Sequence, residues 1–136
     1  RYRTRDLTLV TEEPCGCGRT HLRIHRVTGR NDDMMIIRGV NVFPSQIESV
    51  LLAVPGVAPH YQLSLTRQGW LDHLTIEAES ASARSEEDRA HLAQQVRHHV
   101  KSMIGVTCEV LIRMPGQLPR SEGKAVRVRD LRQEGA

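Results

Sequence analysis

Residues 60–79, "HYQLSLTRQGWLDHLTIEAE", decide the fold. Tyr61, Leu63 and Leu65 alternate with polar residues, and after "QGW" the alternation resumes with Leu74, Ile76 and Ala78. Successive side chains of a strand point to opposite faces, so a period of two predicts two antiparallel strands joined by a turn. The flanks carry a different period. In "FPSQIESVLLAVPG", residues 43–56, Pro44 suits a first helical position, Ile47, Val50, Leu51 and Val54 share a face, and Pro55-Gly56 is a stop, which predicts a helix of about three turns. Beyond the strands, Ser85 is placed to cap the amide of Asp88, and Glu86, Glu87 and Asp88 suit the positive end of a helix dipole. Leu92, Val96 and Val100 then recur every fourth residue, Met103 and Ile104 close the stripe, and Gly105 suits a C-terminal cap.

Further out, "DMMIIRG" (33–39) reads as a short buried strand and "TCEVLIRM" (107–114) as the last strand, with "PGQLPRSEG" (115–123) a loop. From Asp32 onward the order is strand, helix, strand, strand, helix, strand. The expected class is therefore α+β: a ferredoxin-like split βαβ module with an antiparallel sheet and two helices on one face. Ahead of it, "DLTLVTEE" (6–13) and "RTHLRIHRVTGR" (19–30) alternate around "PCGCG", which predicts a β-hairpin with little core of its own.

The composition narrows the function classes. The 136 residues leave room for one compact domain plus a short appended segment. The 19 basic residues are interspersed with 16 acidic ones, and the aromatics are limited to Tyr2, Phe43, Tyr61 and Trp70, so the basic stripe and stacking platform of a nucleic-acid binder are missing. No apolar run approaches the roughly 20 residues that cross a bilayer. Three cysteines, an odd number, in a chain without a signal peptide point to a reducing, cytoplasmic setting. The chain opens on Arg1 with residues that read like the middle of a sheet, which suggests a piece of a longer polypeptide.

Lysine is the anomaly. Only Lys101 and Lys124 are lysines, and Lys124 follows a glycine in "PRSEGKAVRV", with Arg120 before it and Arg127 and Arg129 after it. Taken alone, a loop lysine is a solvated charge. Taken with two other segments, "RYRTRDL" at the start and "GRNDDMMIIRGVNVFPSQIE" at 29–48, it resembles the acyl-adenylate-forming enzymes, and specifically the phenylacetate–CoA ligase branch. The first segment is similar to that family's Y-x-T-G-D nucleotide motif with Arg5 in place of the glycine, the second to its hinge and following loop, and the third to its terminal catalytic-lysine loop. The three occur in the family's order across nearly the whole chain.

The resemblance implies roles. Asp6 corresponds to the acid that binds the ribose hydroxyls of ATP, and Arg30 to the arginine of the ribose and phosphate region. Asp32 corresponds to the hinge residue. Arg38, Gly39 and Val40 correspond to the loop lining the pantetheine tunnel for coenzyme A, with Arg38 in place of the first of two glycines often found there. Lys124 corresponds to the lysine that meets the carboxylate and α-phosphate during adenylation. The implied organisation is a terminal hairpin of the larger adenylating domain (1–29), a hinge (30–33) and a mobile C-terminal lid (34–136). The implied co-substrates are Mg2+-bound ATP, coenzyme A and an aromatic carboxylic acid, with a homodimer as one open assembly. Physical chemistry agrees about position 124. A carboxylate attacking a phosphate brings two anions together, and lysine supplies a compact charge on a flexible stem, whereas arginine's planar fork suits a fixed bidentate partner.

Three other features have plainer readings. Cys15 and Cys17, with His21 and His25 on the return strand, are at most half of a zinc site, since zinc takes four ligands, so a structural Zn2+ would draw its remaining ligands from the larger domain. The alternative is a turn with two reduced thiols. His98, His99 and Lys101 form a solvated helix face, and Cys108 is a small hydrophobe in a strand. A reading from another class is a stand-alone regulatory module that dimerises through its sheet and binds a small effector.

Overall fold

The structure is a computed structural model that describes residues 3–30, 33–120 and 127–132. It divides into two compact units between Met34 and Met35.

The first unit is the expected hairpin, in two pieces. β1 (Asp6–Leu7) pairs antiparallel with β4 (Gly29–Arg30), and β2 (Val10–Thr11) pairs with β3 (Arg23–Ile24). The ladder slips between them. Leu7 stands opposite Gly29 and Val10 opposite Ile24, so three steps on the outgoing strand face five on the return, and residues 25–28 bulge. Side chains take up the interruption: Thr8 Oγ1 donates to the His25 carbonyl at 2.7 Å, and Thr28 N and Oγ1 both donate to the Leu7 carbonyl. None of the described residues 3–30 is buried, and Leu9, Leu22 and Ile24 are each about two-thirds exposed. A two-stranded ribbon this bare has no core to hold it.

The second unit is built on a four-stranded sheet in the order β10-β7-β8-β9. β7 (Val57–Gln68) and β8 (Leu71–Ser80) are the antiparallel pair read from residues 60–79, joined through Gly69, at φ 60°, and Trp70. Leu63, Leu65, Leu74, Ile76 and Ala78 are buried, while Gln62, Ser64, Thr66, His73, Thr75 and Glu77 form the opposite, polar face. α1 (Pro44–Ala53) buries Ile47, Val50 and Leu51 against β7. Its first turn is closed by Gln46, whose Oε1 accepts from the Phe43 amide at 3.0 Å. α2 (Glu86–Ile104) begins at Ser85, whose Oγ accepts from Asp88 N at 3.1 Å, and ends at Gly105, at φ 88°. It packs on α1 and on β9 (Glu109–Arg113).

The α+β class stands, and the expected six elements occur in their order with two further strands, β6 (Val40–Val42) before α1 and β10 (Val128–Asp130) at the end, but the sheet is mixed, where the expectation was wholly antiparallel. β8 and β9, joined through α2, run parallel. The other edge is taken by β10 (Val128–Asp130), parallel to β7, a strand too short and too charged for a sequence signal. "DMMIIRG" is not a strand buried on both sides: β5 (Met35–Ile37) forms a separate hairpin with β6 (Val40–Val42), so Met35 and Ile37 enter the core while Ile36 is half-exposed. Met103 does not close the α2 stripe. The four-residue spacing that carries Leu92, Val96 and Val100 against the sheet continues to Ile104, and Met103 is 68% exposed. No helix among the described residues is long and apolar enough to cross a membrane.

Candidate functional site

In the first unit the two residues expected to meet the nucleotide come together: Asp6 and Arg30 are direct partners across the β1–β4 pair. Opposite residues of an antiparallel pair share a face at about 5 Å between Cβ atoms, so an acidic and a basic residue leave the ribbon on the same side. Arg5 holds a left-handed backbone, φ 64°, beside them, and this is the position where the resembling motif has glycine. Asp32 lies outside the described residues.

At the hairpin tip, the Gly18 amide donates to the Cys15 carbonyl at 2.8 Å, and the Cys17 thiol lies 3.0 Å from Cys15 Sγ. The Cys15 sulfur, with help from the Arg19 backbone, holds the Cys17 thiol below its ordinary pKa. His25 Nε2 is instead engaged with Thr11 Oγ1 at 2.7 Å. Among the described residues no three His, Cys, Asp or Glu side chains gather around one point, so the hairpin alone does not fit a tetrahedral zinc.

In the second unit, Arg38 and Gly39 are the two central residues of the β5–β6 turn, at φ 50° and 80°. Positive φ at both positions is the geometry of a type I′ turn, which explains why glycine is favoured at each. Arg38 is held there by its side chain: Nε donates to the Asp72 carbonyl at 2.8 Å and Nη1 to Thr107 Oγ1 at 2.6 Å. Asp72 anchors this end of the sheet. Its carboxylate receives Arg67 Nε at 2.9 Å and Arg132 Nη1 at 3.2 Å, and Arg132 also donates to the Ile36 carbonyl. The bond from Arg67 is the main reason the Asp72 carboxyl sits below its ordinary pKa. Val40 follows the turn and packs partly against the core. A cavity of about 260 Å³ opens beside Arg38, lined also by Thr66, His73, Thr107 and Cys108 among others. Burial raises the Cys108 thiol to about 11, so it stays protonated at neutral pH and behaves as the expected small hydrophobe.

Replacing Arg38 tests that account. Arg38→Ala keeps the left-handed strain and loses both side-chain bonds, so urea unfolding of the chain should show a loss of about 1 kcal/mol. Arg38→Gly loses the same bonds but relieves about 1 kcal/mol of backbone strain, so its midpoint should stay near that of the parent. Equal midpoints for the two variants would show that the turn does not strain residue 38.

Lys124 lies outside the described residues, but the segments on either side of 121–126 do not. On the entering side, Glu79 of β8, 1% exposed, accepts from the Leu118 amide at 2.7 Å through Oε1 and from Arg120 Nη2 at 2.8 Å through Oε2. Burial pushes the Glu79 carboxyl up, but the Leu118 and Gly116 amides and Arg120 more than reverse this and leave it below the ordinary value. The contact is therefore fully present above the ordinary glutamate pKa and is lost as pH falls through the lowered one. On the returning side, Arg127 Nη1 donates to Glu48 of α1 and to the Tyr61 hydroxyl at 3.1 Å, with its Cζ 4.8 Å from the Tyr61 ring centroid. Burial raises the Tyr61 pKa, keeping the hydroxyl neutral. The Arg38–Gly39 turn and these anchors lie at opposite ends of β8: from Asp72 to Glu79 is seven residues, about 23 Å.

Comparison with known proteins shows the family. The profile of the AMP-binding enzyme C-terminal domain matches residues 39–132. The chain belongs to this family. As an AMP-binding enzyme C-terminal domain it is 49% identical over 135 residues to the phenylacetate-coenzyme A ligase of Escherichia coli K12, covering 97% of this chain and 30% of that protein. The chain thus spans about a third of its curated relative's length. A solved domain of phenylacetate-coenzyme A ligase from Bacteroides vulgatus superposes with a TM-score of 0.66 at 36% identity, covering 74% of this chain and 94% of that one. 2-Hydroxyisobutyryl-CoA ligase, in its postadenylation state with 2-HIB-AMP, gives 0.74 at 32% identity over 96% of this chain and 28% of that one.

Sequence reasoning nominated Asp6, Arg30, Arg38 and Gly39 from their motifs; the structure makes the first two cross-strand partners and puts the last two in one turn. It missed Asp72, Glu79, Glu48 and Arg132. Glu79 occupies a polar-face position where any hydrophilic residue satisfies the alternation, and only the loop folded over it distinguishes it from Glu77.

Proposed function

We propose that this chain is the C-terminal lid of an aryl- or arylacetate–CoA ligase of the phenylacetate–CoA ligase type. The observation that carries the reading is the 49% identity that runs over 97% of the chain, through both compact units and all three motifs. In this reading residues 1–29 are the last hairpin of the larger adenylating domain, which would cover the apolar side chains left bare on it, 30–33 are the hinge about Asp32, and 34–136 are the lid. The enzyme works in the cytoplasm.

Two half-reactions follow. In the first, a carboxylate oxygen of the acid bonds to the α-phosphorus of Mg2+-bound ATP and the bond to pyrophosphate breaks, giving acyl-adenylate and pyrophosphate. Asp6 accepts the ribose hydroxyls, Arg30 faces the ribose and phosphates, and Lys124 stabilises the charge that gathers on the phosphorus oxygens. In the second, the sulfur of coenzyme A bonds to the acyl carbon and the bond to AMP breaks. The thiol proton is released, and Arg38, Gly39 and Val40 line the approach of the pantetheine arm. A solved form of 2-hydroxyisobutyryl-CoA ligase holds 2-HIB-AMP and CoA together in a thioesterification state, which supports assigning both steps to one such lid. The Arg38–Gly39 turn and the described anchors Glu79 and Tyr61 lie at opposite ends of β8, about 23 Å apart, which supports two steps served in turn.

The test is to assay the complete enzyme with phenylacetate, ATP and coenzyme A. AMP release that requires all three, with the thioester as product, is the expected result. AMP release that is indifferent to coenzyme A would rule the reading out.

A further inference from the structure

We propose that Thr107 is a positioning residue for the coenzyme A step: its hydroxyl receives the Arg38 guanidinium and so sets where the Arg38–Gly39 turn stands. This rests on the ligase reading above, which gives that turn to the pantetheine arm.

The turn needs holding. β5 and β6 have three residues each and pair with one another in a sheet of their own, and a ribbon that short is marginal without support. Met35, Ile37 and Val42 anchor its strands in the core, and Arg132 ties the Ile36 carbonyl. Its tip is bare: a Cβ added at Gly39 would meet no further atom within 4 Å among the described residues. What reaches back from the tip is the Arg38 side chain, which bonds two elements at once, the Asp72 carbonyl of β8 at 2.8 Å and Thr107 Oγ1 in the α2–β9 connection at 2.6 Å. A planar guanidinium fits such a pair because its donors diverge at fixed angles. Both acceptors stand on rigid ground. Asp72 is in register with Arg67 across β7 and β8, and its carboxylate is held by Arg67 and Arg132. Thr107 lies between the Gly105 cap of α2 and the start of β9, and its neighbours Val106 and Cys108 pack on the core, so its own side chain turns outward and is exposed. Hydrogen bonds at an exposed site add little to stability, so the use of this one is geometric. Without Thr107 the guanidinium keeps a single bond and can swing about it, and the turn that carries Gly39 loses its fixed place.

The experiment uses the complete enzyme, with Thr107→Val, Thr107→Ser, Arg38→Gly and the double variant of Thr107→Val with Arg38→Gly made in parallel. Thioester formation is read from supplied phenylacetyl-adenylate at varied coenzyme A, adenylation by exchange of labelled pyrophosphate into ATP, and folding by the melting temperature. Valine keeps the shape of threonine and removes the acceptor, whereas serine keeps the hydroxyl. Position 107 is exposed, so neither change opens a cavity in the core. The expected result for Thr107→Val is a loss of about tenfold in kcat/KM for coenzyme A, the scale of a displaced positioning group, with adenylation and melting temperature unchanged and with Thr107→Ser close to the parent. In the double variant the loss should equal that of Arg38→Gly alone, because a threonine that acts through Arg38 has nothing to act on once the guanidinium is gone. Losses that multiply would mean that Thr107 meets coenzyme A itself, and the proposal fails. It fails equally if Thr107→Val leaves kcat/KM unchanged, if adenylation falls in step, or if Thr107→Ser is as impaired as Thr107→Val; each of these leaves the ligase reading intact. AMP release by the parent enzyme that is indifferent to coenzyme A would overturn that reading and this proposal with it.

Discussion

In the complete enzyme Lys124→Ala should lower acyl-adenylate formation by about 10²- to 10³-fold, the effect of deleting one preorganised group that stabilises transition-state charge. Thioester formation from supplied acyl-adenylate should be spared. The asymmetry follows from where charge develops. In the first half-reaction two anions meet at phosphorus, and a point charge at that centre lowers the barrier directly. In the proposed second half-reaction a neutral acyl carbon is attacked, the phosphate leaves as AMP, and the loop assigned to the site is the Arg38–Gly39 turn of the β5–β6 hairpin. Measuring the two half-reactions separately checks this. Equal losses in both would contradict the role assigned to Lys124.

The second large effect is an absence of turnover. Purified by itself, the 136-residue chain should form no thioester from phenylacetate, ATP and coenzyme A, even though it carries Asp6, Arg30 and Lys124. In the proposed reading those residues meet only the ribose and phosphate side of the reaction. The glycine-rich phosphate loop and the pocket for the acid that the resemblance leads one to expect do not occur in the sequence. Without them the reactants are not held together, and holding reactants in place is worth about 7–11 kcal/mol of a barrier. Product analysis by mass after long incubation, with the complete enzyme as the positive control, decides it. Robust turnover by the chain would mean that it contains a whole active site.

Much of this protein was legible in particular residues. The β7–β8 pair followed from the alternation through Tyr61, Leu63, Leu65, Leu74, Ile76 and Ala78, because period two has no other compact solution when one face must be apolar. The caps of α2 followed from Ser85 and Gly105, whose roles are local: a hydroxyl that reaches an amide three residues on, and a backbone free to turn left-handed. The candidate site residues Asp6, Arg30, Gly39 and Lys124 could be nominated because their motifs are contiguous. Their juxtaposition was not legible. That Asp6 faces Arg30 depends on hairpin register, which a bulge at 25–28 shifts by two residues.

What the sequence by itself determined was everything carried by neighbours along the chain: periods, caps, turns and the chemistry of each motif. Only the tertiary structure decided the rest. It made the sheet mixed by setting β9 parallel to β8 and adding β10 to the far edge, and it split off the β5–β6 hairpin. It also converted ordinary surface charges into anchors, joining Arg38 and Arg132 to Asp72, Arg120 to Glu79 and Arg127 to Glu48. The physical reason is one of range. Backbone conformation is biased by residues within a turn or two, whereas the partner of a charge is set by which strands the whole core brings together, and those contacts span 34 to 79 residues of sequence.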